Sequence, residues 1–177
     1  RTGIPADKIN LTYGAEDGEG RQVSINDAIT DTDKAYSTLY KKGLVSTTGK
    51  ELNMQEKNTP EFQEFTAKMR WLYDAISETM DASVSYPWVT YWFTGMTPKE
   101  VYKLACACDQ YYGNAQKGQT WTKGKYISPA NLPSKTGSVN VAYKIGVTVT
   151  PEIKELYGAL KQNGIDNWIC SASALDV

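Results

Sequence analysis

A long helical rhythm in the middle of the chain constrains the fold most. After Thr59 and Pro60, apolar residues recur at Phe62, Phe65, Met69, Leu72, Tyr73, Ile76 and Met80, every three or four positions. That interval places them on one face of an amphipathic helix. Pro60 suits the first helical position, where its missing N–H costs nothing. Ser24 and Asp27 read as a helix start with Ser24 as N-cap. Ile25, Ala28, Ile29, Tyr36, Leu39 and Tyr40 follow at helical spacing, and Gly43 closes the segment. A short helix is expected to begin at Pro87, to carry Trp88, Val89, Trp92 and Phe93, and to stop at Gly95. Thr97, Pro98 and Glu100 form a capping box. The helix behind it carries Val101, Leu104, Ala105, Cys108, Tyr111 and Tyr112, with Gly113 as its end.

Two stretches lack this rhythm. Residues 1–23 are polar and contain Gly14, Gly18 and Gly20, which predicts a long surface loop with a short hairpin. In residues 119–149, Trp121, Tyr126, Val139, Val141, Tyr143, Val147 and Val149 alternate with polar residues, which predicts short strands. Ser128-Pro129 and Leu132-Pro133 mark the loops between them.

The pattern changes at Thr150. Thr150 and Pro151 open a helix bearing Ile153, Leu156, Tyr157 and Leu160, and Gly164 follows. Residues 165–170 are mostly apolar and read as a buried strand. A turn of small residues, Ser171, Ala172 and Ser173, comes next. Helix, glycine, buried strand and hydroxyl-bearing turn make one unit of a parallel α/β sheet. The expected organisation is therefore a mainly helical domain with a small β element over residues 1–149, and one helix and one strand of an α/β domain over residues 150–177. Ligands of parallel sheets bind beyond the carboxyl ends of the strands. Ser171 stands at such an end, where its hydroxyl and the backbone N–H groups of a tight turn can hold a phosphate oxygen. The first residue is Arg1, not Met, and the chain is expected to have been processed or excised from something longer.

Composition narrows the chemistry. There is no histidine, so this chain offers no Ser-His-Asp or Cys-His triad and no His-ligated metal site. With 19 basic and 20 acidic residues it has no excess positive charge for nucleic acid or a membrane surface. No apolar run approaches the roughly 20 residues that span a bilayer. Cys106, Cys108 and Cys170 do not make a CxxC pattern and are expected to be small apolar core residues.

The block Val149-Thr-Pro-Glu-Ile-Lys-Glu-Leu156, followed by Leu160-Lys-Gln-Asn-Gly-Ile-Asp-Asn-Trp-Ile-Cys-Ser-Ala-Ser173, resembles the second conserved block of haloacid-dehalogenase-type phosphatases. Upstream, Tyr86-Pro-Trp88 and Gly95-Met-Thr-Pro-Lys-Glu-Val101 resemble the cap domain of the phosphoserine-phosphatase-like and phosphorylcholine-phosphatase-like branch. The resemblance implies an α+β cap over residues 1–149 and a fragment of a Rossmann-like α/β core over residues 150–177. It also implies a phosphomonoesterase that works through an aspartyl-phosphate. Ser171 would bind the transferring phosphoryl group. The nucleophilic Asp, the acid/base Asp, a later Lys and the Mg2+ ligands would lie outside this chain, which on its own would be inactive. The substrate would be a small phosphomonoester, and the remainder of the core would be needed to turn it over.

A second feature concerns substrate choice. Trp71, Tyr73, Tyr86, Trp88, Tyr91, Trp92 and Phe93 crowd one stretch. Aromatic faces attract quaternary ammonium groups, so Trp88, Trp92, Tyr73 and Tyr86 are the candidate substrate-binding residues for a phosphorylcholine-like ligand, with Glu78 or Asp81 assisting. Trp88 and Trp92 are expected to face an open cleft, and Val89 and Phe93 the core. A plain core role for these rings is the competing reading. Asp31-Thr-Asp33 imitates a DxDx(T/V) nucleophile block, but no apolar strand precedes it and Ala35 holds its fifth position; a solvated helix face is expected there. The rival functional class is a non-catalytic aromatic-rich module that binds a cationic small molecule.

Overall fold

Helix α1 (Ile25–Lys41) begins where its capping residue dictates: the Asp27 N–H donates to Ser24 Oγ at 3.3 Å. It ends in a left-handed turn at Gly43 (φ +66°), with Gly43 N–H donating to the Tyr40 carbonyl and Leu44 N–H to that of Leu39. Helix α2 (Pro60–Thr79) follows with Pro60 in its first turn. The computed structural model describes residues 3–14, 21–45, 58–112, 123–144, 150–168 and 170. Within them the fold is α+β, mainly helical with two small two-stranded sheets.

In the unit formed by residues 1–95 and 125–143, α1 packs chiefly against α2. Ile25, Ala28 and Ile29 meet Ala67, Trp71, Leu72, Ala75 and Ile76 in one core. Alanines on both helices let the backbones approach, while Trp71 and Leu72 fill the rest of the seam; each large buried side chain contributes about 1.5–3 kcal/mol. The expected hairpin is present: β1 (Thr12–Tyr13) pairs antiparallel with β2 (Val23–Ser24), Tyr13 opposite Val23. The Tyr13 ring meets Trp71 edge-on at 5.6 Å. Strands β3 (Lys123–Ile127) and β4 (Asn140–Lys144) form the second sheet; Val141 of β4 and Val139 just before it join the core.

Helix α3 (Ala82–Thr90) departs from expectation. It starts five residues before Pro87, which lies inside it, and a 3-10 turn (Tyr91–Phe93) extends it. The Asp81 carbonyl accepts from the N–H groups of Val84 and Ser85 and launches the helix. Pro87 therefore falls just past the first turn, where it removes a single ladder bond.

The other unit comprises residues 96–124 and 144–177, so the division does not coincide with a cut at residue 150. Helix α4 (Pro98–Tyr112) carries the capping box in full. Glu100 Oε2 accepts from Thr97 N–H at 2.7 Å and from the Thr97 hydroxyl at 2.8 Å, and Glu100 N–H donates back to Thr97 Oγ1. The Thr97 N–H, then its hydroxyl, hold the Glu100 carboxyl below the usual range. Helix α5 (Pro151–Gln162) begins at Thr150 and closes on Gly164 (φ +73°), with Gly164 N–H donating to the Lys161 carbonyl and Ile165 N–H to that of Leu160. Residues 165–168 are irregular and exposed, not the buried strand expected over 165–170. A strand requires a ladder partner, and among the described residues none lies beside them. The cysteines are not core residues either: Cys106 is half-buried, and Cys108 and Cys170 are exposed. Among the described residues no helix is long and apolar enough to cross a membrane.

Candidate functional site

The aromatic residues assemble in part. Trp88 and Trp92 meet edge to face with centroids 5.1 Å apart, and Tyr73 contacts Trp92 edge-on at 6.3 Å. Trp92 is 38% exposed, but Trp88 is only 7% exposed and belongs to the core. The expectation that both tryptophans line an open face is therefore corrected for Trp88: the α-helix gives way to a 3-10 turn at Tyr91, so Trp92 does not continue the face that seats Trp88 with Trp71 and Met80. Val89 packs against the same core. Tyr86 is exposed and makes none of these ring contacts. Tyr91 is also exposed and packs on Gly3 (φ +87°), where a Cβ would come 2.5 Å from its ring.

What the face offers a ligand follows from its charges. The Arg70 guanidinium lies 5.0 Å from the centroid of the Tyr73 ring and is paired with Asp74 at 2.9 Å. The ring thus already receives one cation, and a ligand ammonium group would share or displace it. Trp92 is the better presented surface. Glu78 and Asp81 are exposed near the end of α2.

A second feature is a shallow cleft of about 510 Å³, lined by Gln63 and Thr66 of α2, by residues 125–130 and by Ser138. Its size falls within the range of small-molecule sites.

The third feature is a buried charge network. Asp31, expected on a solvated face, is 4% exposed. Its carboxylate accepts from Lys135 N–H (2.8 Å), Thr136 N–H (3.0 Å), the Thr136 hydroxyl (2.8 Å) and Lys68 Nζ (3.0 Å). Lys68 also pairs with Glu64 one helical turn away, and both are buried. The other Glu64 oxygen takes no hydrogen bond among the described residues. Burial by itself would raise the Asp31 carboxyl; the N–H groups of Lys135 and Thr136, then Lys68 and the Thr136 hydroxyl, outweigh it and hold the group below its ordinary value. Asp33 is exposed. Charged residues read as solvent-facing, so the network is missed in sequence. The signal was there: Glu64 and Lys68 continue the stripe of Ala67, Trp71, Leu72, Ala75 and Ile76.

Ser171 lies outside the described residues. Helix α5 buries none of its residues, and Ile153, Leu156, Tyr157 and Ile165 are exposed, with Trp168 at 90%. Among the described residues no three acidic or thiol side chains converge on a cation site. Asp31 and Glu64 are both engaged by the Lys68 ammonium instead.

No family model matches the chain, and no curated protein does. Among solved structures the chain is similar to the crystal structure of a conserved, functionally unknown protein from Anaerococcus prevotii. The two are 27% identical with a TM-score of 0.67, over 94% of this chain and 43% of that one, so the chain spans less than half the length of the protein it resembles.

Proposed function

We propose that the chain supplies the cap and the phosphate-binding turn of a phosphomonoesterase of the haloacid-dehalogenase type. One observation carries the reading. Helix α5 and the turn at Gly164 lead into residues 165–168, with Ile153, Leu156, Tyr157, Ile165 and Trp168 exposed. An amphipathic helix and following segment of this kind fit a parallel sheet whose other strands come from elsewhere in the polypeptide. The greater length of the similar Anaerococcus prevotii chain agrees with a larger architecture.

In this reading the Ser171 hydroxyl donates to a phosphoryl oxygen. An Asp outside the chain attacks phosphorus, the P–O bond to the alcohol breaks, and a second Asp protonates the leaving oxygen. Water then cleaves the aspartyl-phosphate, releasing inorganic phosphate. Mg2+ would neutralise phosphoryl charge during transfer. In this reading its ligands lie outside the chain. The Trp92 and Tyr73 rings favour a substrate with a cationic group, phosphorylcholine being the simplest.

The test is turnover by full-length protein. Release of inorganic phosphate from p-nitrophenyl phosphate and phosphorylcholine, abolished by a chelator and restored by Mg2+, is the expected result. Absence of turnover with a panel of phosphomonoesters, together with saturable choline binding quenching Trp fluorescence, would establish the alternative of a cation-binding module.

A further inference from the structure

The loop between β3 and β4 is attached to the helical body in two chemically different ways. At its base it is fixed by the core and by its own backbone. Val139 and Val141 are buried, Ser128 N–H donates to the Val139 carbonyl at 2.9 Å, and Val139 N–H donates to Ser128 Oγ at 2.8 Å. The Ser138 hydroxyl closes the same neck on the Ser128 carbonyl. The tip, by contrast, is held through polar groups. Asp31 takes the two N–H groups and the hydroxyl of residues 135 and 136. Arg21 Nη2 donates to the Thr136 and Ser138 carbonyls at 2.6 and 3.0 Å, and Lys34 Nζ to that of Pro133 at 3.3 Å. Lys135 Nζ stands 3.6 Å from Asp27.

Of these partners Asp31 alone is buried; Arg21 and Lys34 are exposed, and the Lys135–Asp27 pair is exposed to solvent. Exposed ion pairs and the lone exposed bond from Lys34 hold a segment weakly, and Arg21 divides its two bonds between Thr136 at the tip and Ser138 at the neck, whereas all three tip bonds to Asp31 go to a buried carboxylate. The Asp31 carboxylate is itself held from behind by Lys68 on α2. Gly137, between tip and neck, has φ +69°, a conformation that favours glycine and marks the place where the chain turns back into β4. The same loop supplies Ser128, residues 129 and 130, and Ser138 to the wall of the cleft against Gln63 and Thr66.

We propose that residues 129–137 are a hinged strap beside this cleft, opening as a unit at the neck formed by Ser128, Ser138 and Val139 without unfolding of α1 or α2, and that the Asp31 carboxylate is its latch. The strap can then leave Asp31 while Val139 and Val141 stay seated, and its opening remodels one wall of the cleft. Such sub-global opening is common where polar attachments hold a segment to a packed core.

Amide hydrogen exchange on the full chain tests the inference, read at Lys135 and Thr136, whose N–H groups donate to Asp31, and at Leu72 and Ile76 in the core of α2. In the wild-type protein residues 135 and 136 should exchange faster than the α2 core and be protected against free-peptide rates. Thr136→Val removes one latch bond from the strap side and leaves the helices untouched; it should speed exchange at 135 and 136 by about tenfold with α2 unchanged. Asp31→Asn should produce a larger increase at the same amides. Exchange of 135 and 136 at the rate of the α2 core in wild type and Thr136→Val alike would overturn the proposal, since the loop would then be part of the globally unfolding core.

Discussion

Lys68 Nζ lies 3.0 Å from Asp31 Oδ2, a contact between two buried side chains that joins α2 to α1 and, through Asp31, to the backbone of residues 135 and 136. Glu64 completes the arrangement from one turn away on α2. A buried ion pair of this kind adds little over a well-packed apolar substitute, but removal of one partner strands the others without water. Lys68→Met should therefore destabilise the fold by about 3–5 kcal/mol, read as a fall in the urea midpoint at unchanged slope. A triple variant with Asp31, Glu64 and Lys68 all replaced by apolar residues of similar volume should recover much of that loss.

The same carboxylate predicts a pH dependence. The folded-state pKa of Asp31 is depressed, so its contribution to stability is complete above the unfolded value of roughly 3.9 and disappears as the pH falls through the folded value. Glu61, held low mainly by its hydrogen bond from Lys42, adds to the same acid limb. The difference between wild type and Asp31→Asn isolates Asp31. Stability measured from pH 7 to pH 2 should show the two proteins converging at the acid end, with the variant less stable throughout the neutral range. A constant gap down to pH 2 would mean that the charge on Asp31 is irrelevant to its role.

Trp88 and Trp92 separate packing from recognition. Trp88→Ala opens the core and should cost about 3–5 kcal/mol. Trp92→Ala loses two ring contacts of about 0.5–1.5 kcal/mol each and should leave a folded protein. If the chain belongs to a phosphatase as proposed, Trp92→Ala in the full-length protein should weaken binding of phosphorylcholine by about a kcal/mol more than that of an ester of similar size that lacks the trimethylammonium group. Equal losses would assign Trp92 to packing alone.

The sequence and the structure agree best where a local rule fixes the answer. Ser24, Pro60 and Thr97 mark helix starts, and Gly43 and Gly164 mark helix ends; each is read from a few adjacent residues and each stands where expected. The hairpin and the β3–β4 pair also follow from their patterning. The rotation of α2 does not. Its apolar residues Phe62, Phe65 and Met69 suggest one face, yet the buried face contains Glu64 and Lys68 while those three are only half-buried. Asp31, distant in sequence, makes that rotation possible by accepting from the Lys68 ammonium, and only tertiary contact reveals it. Tyr36 and Tyr40 are exposed on α1 for the same reason: its core stripe passes through Ala28, Thr32, Ala35 and Leu39. Trp88 was legible as aromatic, but which way it faces is set by tertiary contact with the core that holds Trp71 and Met80. The stretch from Thr150 to Gly164 was legible as helix and turn, whereas residues 165–168 need a neighbour to become a strand and have none among the described residues.

Ser171→Ala in the full-length protein tests the central claim most directly. If the Ser171 hydroxyl binds the transferring phosphoryl group, the variant loses one hydrogen bond to a charged group, on the order of 1.5–3 kcal/mol. Turnover of p-nitrophenyl phosphate should then fall roughly tenfold to a hundredfold, with the thermal midpoint within a degree or two of wild type. Turnover equal to wild type in a folded variant would contradict the account and remove Ser171 from the phosphate site.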